Sequence, residues 1–214
     1  MIAEPLFPLL NTVRHRIGID GVGVTTLIAG AGCPLKCKWC INERLLHETP
    51  VHMVNAETLY NLVKMDDLYF QATGGGVTFG GGESLLHADF IAHFRNVIPK
   101  EWKVNVETSL VVPFEKVKNA VGSVDMYIVD CKDMNPEIYR SYTGGDPDLM
   151  KNNLNFLLES VGSDNILVRV PKIPDFNTQQ DQKKSAKLLQ RMGVTNLNLF
   201  DYIIKKRRKG NCSE

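Results

Sequence analysis

Short apolar runs alternate with helix-length amphipathic stretches along nearly the whole chain, and this alternation limits the fold more than any other feature of the sequence. The apolar runs fall at residues 24–28, 77–79, 104–108, 126–129, 166–170 and 196–200. Between them, residues 56–64, 88–98, 113–120, 148–159 and 179–192 read as helices; in the second, Phe90, Ile91, Phe94, Val97 and Ile98 share one face. A run such as Met126-Tyr127-Ile128-Val129 has no polar alternation, so both of its sides are covered, as in parallel strands flanked by helices. Six strands in βα order predict an α/β fold, either an open doubly wound sheet or a barrel-like array. Both place functional groups at the C-terminal ends of the strands. The polar residues at those ends are Gly81-Gly82-Glu83, Glu107-Thr108, Asp130-Cys131-Lys132, the segment from Pro171 onward, and Asp201, which together predict one shared rim.

The 214 residues suit one domain with a sizeable core, and no repeat, low-complexity tract or linker interrupts them. Residues 1–204 read as that domain and residues 205–214 as a short basic tail, with Lys205 to Lys209 all basic. Residues 1–204 carry 20 basic and 23 acidic side chains, a net charge of −3 that argues against a nucleic-acid-binding body. The longest charge-free stretches, 21–35 and 68–82, are glycine-rich and too short to span a bilayer, so no membrane association is expected. The first residues lack a basic region followed by an apolar stretch, so the chain reads as cytoplasmic. Five cysteines in a reducing compartment, an odd number, favour metal or cluster ligation over a disulfide framework.

Three of those cysteines follow the first apolar run in Cys33-Pro34-Leu35-Lys36-Cys37-Lys38-Trp39-Cys40. Three thiolates from one short loop suit three irons of a four-iron, four-sulfur cube and leave the fourth iron open to a small chelating molecule. A closed site needs a fourth ligand, and the remaining cysteines, Cys131 and Cys212, are far along the chain. Zinc held by Cys37 and Cys40 with His47 and one further ligand is the competing reading.

This loop, Cys-x3-Cys-x-aromatic-Cys, resembles that of the radical S-adenosylmethionine (SAM) enzymes. The surrounding residues are similar to the activating enzymes of glycyl-radical enzymes, of the pyruvate formate-lyase activating type. The resemblance runs over roughly residues 18–178. It includes Asp20-Gly21-Val22-Gly23, Cys40-Ile41-Asn42, the glycine-rich segment from Gly74 to Glu83, Asp130-Cys131-Lys132, Tyr142-Thr143-Gly144, and the segment from Arg169 to Pro174 with Asn177.

The resemblance implies a partial (β/α)6 barrel and one [4Fe–4S] cluster on Cys33, Cys37 and Cys40, with SAM on the open iron. It also implies reductive cleavage of SAM to methionine and a hydrogen-abstracting 5′-deoxyadenosyl radical, a glycyl-radical enzyme as substrate, and a flavodoxin- or ferredoxin-type reductant. For SAM it implies Gly81, Gly82 and Glu83 at the methionyl amino group, Glu107 at the polar methionyl end, Asp130 and Lys132 at the ribose or carboxylate, Arg169 inside the barrel, and Trp39 beside the adenine. Modification of a peptide or small molecule by the same chemistry, and a non-catalytic iron–sulfur or zinc module, are the alternatives. Family members carry a basic residue where Thr25 stands, an aromatic at Ala29, and a histidine after the last strand, where this chain has Phe200-Asp201-Tyr202. No cysteine-rich insert lies between Asn42 and Gly74, so no further cluster is expected.

Overall fold

The computed structural model describes residues 4–203, and the basic run Lys205 to Lys209 and Cys212 lie outside them. Strand β1 (Phe7–Ile17) leads through a glycine-rich turn into β2 (Val24–Gly30). After the cysteine loop come α1 (Glu43–Glu48), β3 (His52–Val54), α2 (Ala56–Val63) and α3 (Asp67–Thr73). The βα alternation then runs β4 (Gly76–Gly81), α4 (Ala88–Arg95), β5 (Lys103–Thr108), α5 (Phe114–Ala120), β6 (Met126–Asp130). Two helices, α6 (Pro136–Thr143) and α7 (Pro147–Val161), precede β7 (Ile166–Lys172), and α8 (Gln179–Arg191) precedes β8 (Leu197–Asp201).

All eight strands form one unclosed sheet in the order β3-β1-β2-β4-β5-β6-β7-β8. The six apolar runs are β2, β4, β5, β6, β7 and β8, and each is parallel to its neighbour, which gives the six-stranded parallel array of a partial barrel. Strands β1 and β3 extend it antiparallel beyond β2.

The main core lies between the outer face of the sheet and the helices. Phe79 of β4 meets Phe90 and Phe94 of α4 and Phe7 of β1 edge-on, with Phe7 and Phe79 centroids 5.4 Å apart. Local signals place the helices. Asn135 caps α6 with Pro136 in the first turn and Gly144 in the left-handed region at its end. Thr178 and Asp181 form a reciprocal capping box on α8. No helix among the described residues is long and apolar enough to cross a membrane.

A second anchor ties β1 to the body. The buried Asp66, at the head of α3, accepts hydrogen bonds from Arg14 of β1 and, at 2.7 Å, from Thr26 of β2. Burial pushes its carboxyl up, but those bonds outweigh the effect and hold it below the usual aspartate range. Thr25, at the position where the resembled family has a basic residue, is buried and bonds weakly to the Arg16 carbonyl.

Candidate functional site

The strand ends converge on a cavity of about 690 Å³ inside the curve of the sheet. Ala29 of β2, Gly81 of β4, Glu107 of β5, Asp130 of β6, Arg169 of β7 and Phe200 of β8 all line it, as the shared rim requires. Cys33, Cys37, Cys40 and Trp39 line it too, with Gly82, Glu83 and Lys132, so the cysteine loop and the strand ends named from the sequence, Asp201 apart, surround one space.

The cysteine loop has no helix or strand of its own and is held by its neighbours. The Lys36 and Lys38 amides donate to the carbonyls of Thr143 and Tyr142 at the end of α6, at 2.8 and 3.0 Å. On the other side, the Gly82 and Glu83 amides donate to the Gly30 and Gly32 carbonyls at 3.0 and 2.8 Å. Glycine is required there for a steric reason: a Cβ on Gly82 would lie 2.1 Å from the Gly32 oxygen, and Gly81 has φ +86°. Asn42, just past the last cysteine, donates to the Gly81 carbonyl at 2.7 Å and closes the circuit. The same approach explains Ala29, since a Cβ on Gly81 would already touch that of Ala29 at 2.9 Å.

Glu83 is buried and its carboxylate is fully engaged. Oε1 accepts from the Leu85 amide (3.1 Å) and the Thr108 hydroxyl (2.6 Å), and Oε2 from the Ser109 amide (2.7 Å) and hydroxyl (2.6 Å). It thus straps the end of β4 to the end of β5. Burial without a cationic partner pushes its carboxyl above the ordinary glutamate range, although the four hydrogen bonds work against that.

Two ion pairs stand in the cavity wall. Arg169 donates to Glu107 at 2.7 Å and to the Ile19 carbonyl at 2.6 Å, tying β5, β7 and the β1–β2 turn together. Lys132 donates to Asp130 at 3.0 Å. Burial pushes Glu107 up despite the opposing charge of Arg169. Burial pulls Lys132 down, but Asp130 and the neighbouring Cys37 outweigh it and hold the ammonium above its usual range. The wall therefore offers acidic and basic groups side by side, which suits a zwitterionic ligand that exchanges with these partners.

Cys33, Cys37 and Cys40 are free thiols, and burial pushes Cys37 up to about 11 and Cys33 in the same direction. Iron binds thiolates, so loading this loop displaces protons. Among the described residues no three His, Cys, Asp or Glu side chains group closely enough to hold a single metal ion. Cys33, Cys37 and Cys40 all line the one cavity, where each could ligate a different iron of one cluster. His47, which the competing zinc reading invokes, is exposed in the last turn of α1 and does not line the cavity.

Asp201 corrects one expectation. It ends β8 itself, points away from the cavity and accepts from Lys172 at 2.6 Å. Strand alternation gives the cavity to Asn198, Phe200 and Tyr202. Tyr202 is the residue that motif reading missed: its hydroxyl donates to the Trp39 carbonyl, to which Tyr142 also donates at 3.4 Å. Two tyrosines from different elements thus hold the cysteine loop between Cys37 and Cys40.

Comparison with known proteins agrees with this geometry. The family model of the Radical SAM superfamily matches residues 27–182. The chain is 27% identical to the (2S)-3-sulfopropanediol dehydratase activating enzyme of Klebsiella oxytoca, over 79% of this chain and 72% of that one. It is also 27% identical to the pyruvate formate-lyase 2-activating enzyme of Escherichia coli, over 83% and 70%. Among solved structures, SuiB of Streptococcus suis bound to S-adenosylmethionine has the same fold, with a TM-score of 0.63 at 12% identity. That match covers 82% of this chain and 39% of SuiB, so the chain spans well under half of SuiB's length.

Proposed function

Because the chain belongs to the radical SAM superfamily, whose cofactors are a [4Fe–4S] cluster and SAM, we propose that it is an activating enzyme that installs a glycyl radical on a partner enzyme. One observation carries the reading: three thiols from one loop enter the same cavity as a glycine edge with no room for a Cβ and a wall of paired charges. A cluster held there by Cys33, Cys37 and Cys40 would supply the one-electron reduction of SAM that yields methionine and a hydrogen-abstracting 5′-deoxyadenosyl radical.

The chain's own residues would do the rest. Cys33, Cys37 and Cys40 would hold three irons, and the Gly81-Gly82 edge would let the methionyl end of SAM lie against the backbone. Glu83 acts through the strap to Thr108 and Ser109 that keeps this edge in place, since its carboxylate has no free acceptor. Glu107 and Asp130 offer carboxylates to the ammonium and ribose, and Lys132 and Arg169 offer cations to the carboxylate. Trp39, with Phe200 and Tyr202 opposite, supplies apolar surface for the adenine. Ile19 and Ile41 line the cavity and are exposed, and would offer apolar surface to a substrate segment.

The test is anaerobic reconstitution followed by incubation with SAM, a reductant and a candidate glycyl-radical enzyme. Expected are about four irons and four sulfides per chain, release of 5′-deoxyadenosine, and a glycyl radical signal by electron paramagnetic resonance. Cys33→Ala, Cys37→Ala and Cys40→Ala should each abolish the cluster, whereas Cys131→Ala should retain it. Iron loss in the Cys131 variant equal to that in the other three would overturn the open-iron site. SAM cleavage with no radical on any glycyl-radical enzyme, but with modification of a peptide, would move the chain to another reaction class.

A further inference from the structure

The cysteine loop shows two different faces. Cys33, Leu35, Cys37 and Trp39 line the cavity, while Lys36 and Lys38 take no part in the lining and are exposed. The cause is backbone geometry. The amides of Lys36 and Lys38 bond to consecutive carbonyls at the end of α6, which fixes the backbone on either side of Cys37. Both side chains are thus exposed, outside the cavity lining, on the two residues that flank Cys37. Neither makes an ion pair among the described residues, whereas the nearby cations of α6 and α7 are already engaged, Arg140 and Lys151 both with Asp148.

We propose that Lys36 and Lys38 are the docking contact for an acidic one-electron donor protein, which reduces the cluster through the Cys37 side of the loop. This rests on the cluster assignment above. Under that assignment the cavity face is taken up by SAM and the substrate segment, so a donor must approach from the opposite face. Residues 1–204 carry net charge −3, which repels an acidic protein in general; two uncompensated lysines flanking a cluster ligand give it an attractive place to settle beside the cluster. In each encounter one electron leaves the reduced donor and enters the oxidised cluster. No bond or proton moves, and the donor departs oxidised by one electron.

The experiment compares the reconstituted holoenzyme with its Lys36→Gln/Lys38→Gln double variant, using flavodoxin as the protein donor and dithionite as a small one. Binding of oxidised flavodoxin is measured by calorimetry, and SAM cleavage is measured with each reductant at low and high ionic strength. Losing two exposed charge contacts should weaken flavodoxin binding about tenfold at low ionic strength, with the difference vanishing in high salt. Flavodoxin-driven cleavage should fall in parallel, while iron content and dithionite-driven cleavage stay unchanged. The Lys36→Arg/Lys38→Arg variant should restore binding.

Unchanged flavodoxin affinity overturns the proposal. So does a drop in glycyl-radical yield with dithionite, which would assign this face to the substrate enzyme. Absence of dithionite-driven SAM cleavage in the unmodified protein would instead overturn the activity itself, and this inference with it.

Discussion

Replacing Glu83 with Gln tests how the glycine edge is held. The side chain keeps its shape, but one acceptor oxygen becomes an NH2 group that can only donate. Of the four groups that bond to the carboxylate, the Thr108 and Ser109 hydroxyls can rotate and accept instead, whereas the Leu85 and Ser109 amides cannot. The less costly orientation turns the NH2 toward Leu85, whose bond is the longest of the four at 3.1 Å, and leaves that buried amide without a partner. An orphaned buried amide costs about 1–3 kcal/mol. Opposing this is relief from burying a charge. Because burial raises the Glu83 pKa in the folded protein, the wild type gains most from this group below the ordinary glutamate range and loses that gain as pH rises through the raised value. The stability gap between Glu and Gln should therefore be widest in acid and narrow toward alkaline pH, without reversing. Anaerobic urea melts of the reconstituted protein at several pH values read both the gap and its slope. A Gln variant as stable as wild type at every pH would refute the strap, and a gap widening with pH would refute the raised pKa.

Other outcomes follow from the same contacts. Gly82→Ala places a Cβ 2.1 Å from a main-chain oxygen that no side-chain rotation can relieve, so iron retention and SAM affinity, measured by iron assay and equilibrium dialysis, should both drop sharply. Tyr202→Phe and Tyr142→Phe each remove a hydrogen bond to the Trp39 carbonyl, worth about 1 kcal/mol; the double variant should lose iron to a chelator several-fold faster, while Cys131→Ala, away from this contact, should not. Asp66→Asn should lower the melting temperature near neutral pH and flatten the acid limb of the stability curve. The reason is that a depressed carboxyl stabilises the fold above its unfolded pKa and loses that contribution as pH falls through the folded value.

The parallel half of the sheet was legible because strands covered on both faces read as unbroken apolar runs. Strands β1 and β3 were not. β1 carries Pro8, two breaks of register against β2 and His15 in the left-handed region, so no alternation survives, and β3 is three residues long. Helix α6 is short, and only its end signals, Asn135-Pro136 and Gly144, mark it. At the site, thiol spacing and the acidic and basic strand ends were visible one by one. The pairings were not, because Glu107 meets Arg169 and Tyr202 meets Trp39 across 62 and 163 residues. Asp201 was misplaced because it is still a paired residue of β8 rather than part of the loop after it, so strand alternation sends it to the face opposite Phe200.

The strand order also sets a sequence of assembly. From β2 to β8 every parallel strand is added beside the one made just before it, so the sheet grows in one direction as the chain is synthesised. The cysteine loop lies between the first two members of this series, and its anchors on Gly81, Gly82 and α6 are complete before β7 and β8 exist. The wall carrying Phe200 and Tyr202 arrives last. Limited proteolysis of stalled nascent chains that end before β7 should accordingly find β4 and β5 already protected. If that protection is found, a nascent chain would gather the three thiols while they are still approachable from the side, an opening through which a cluster could be delivered before the site is enclosed.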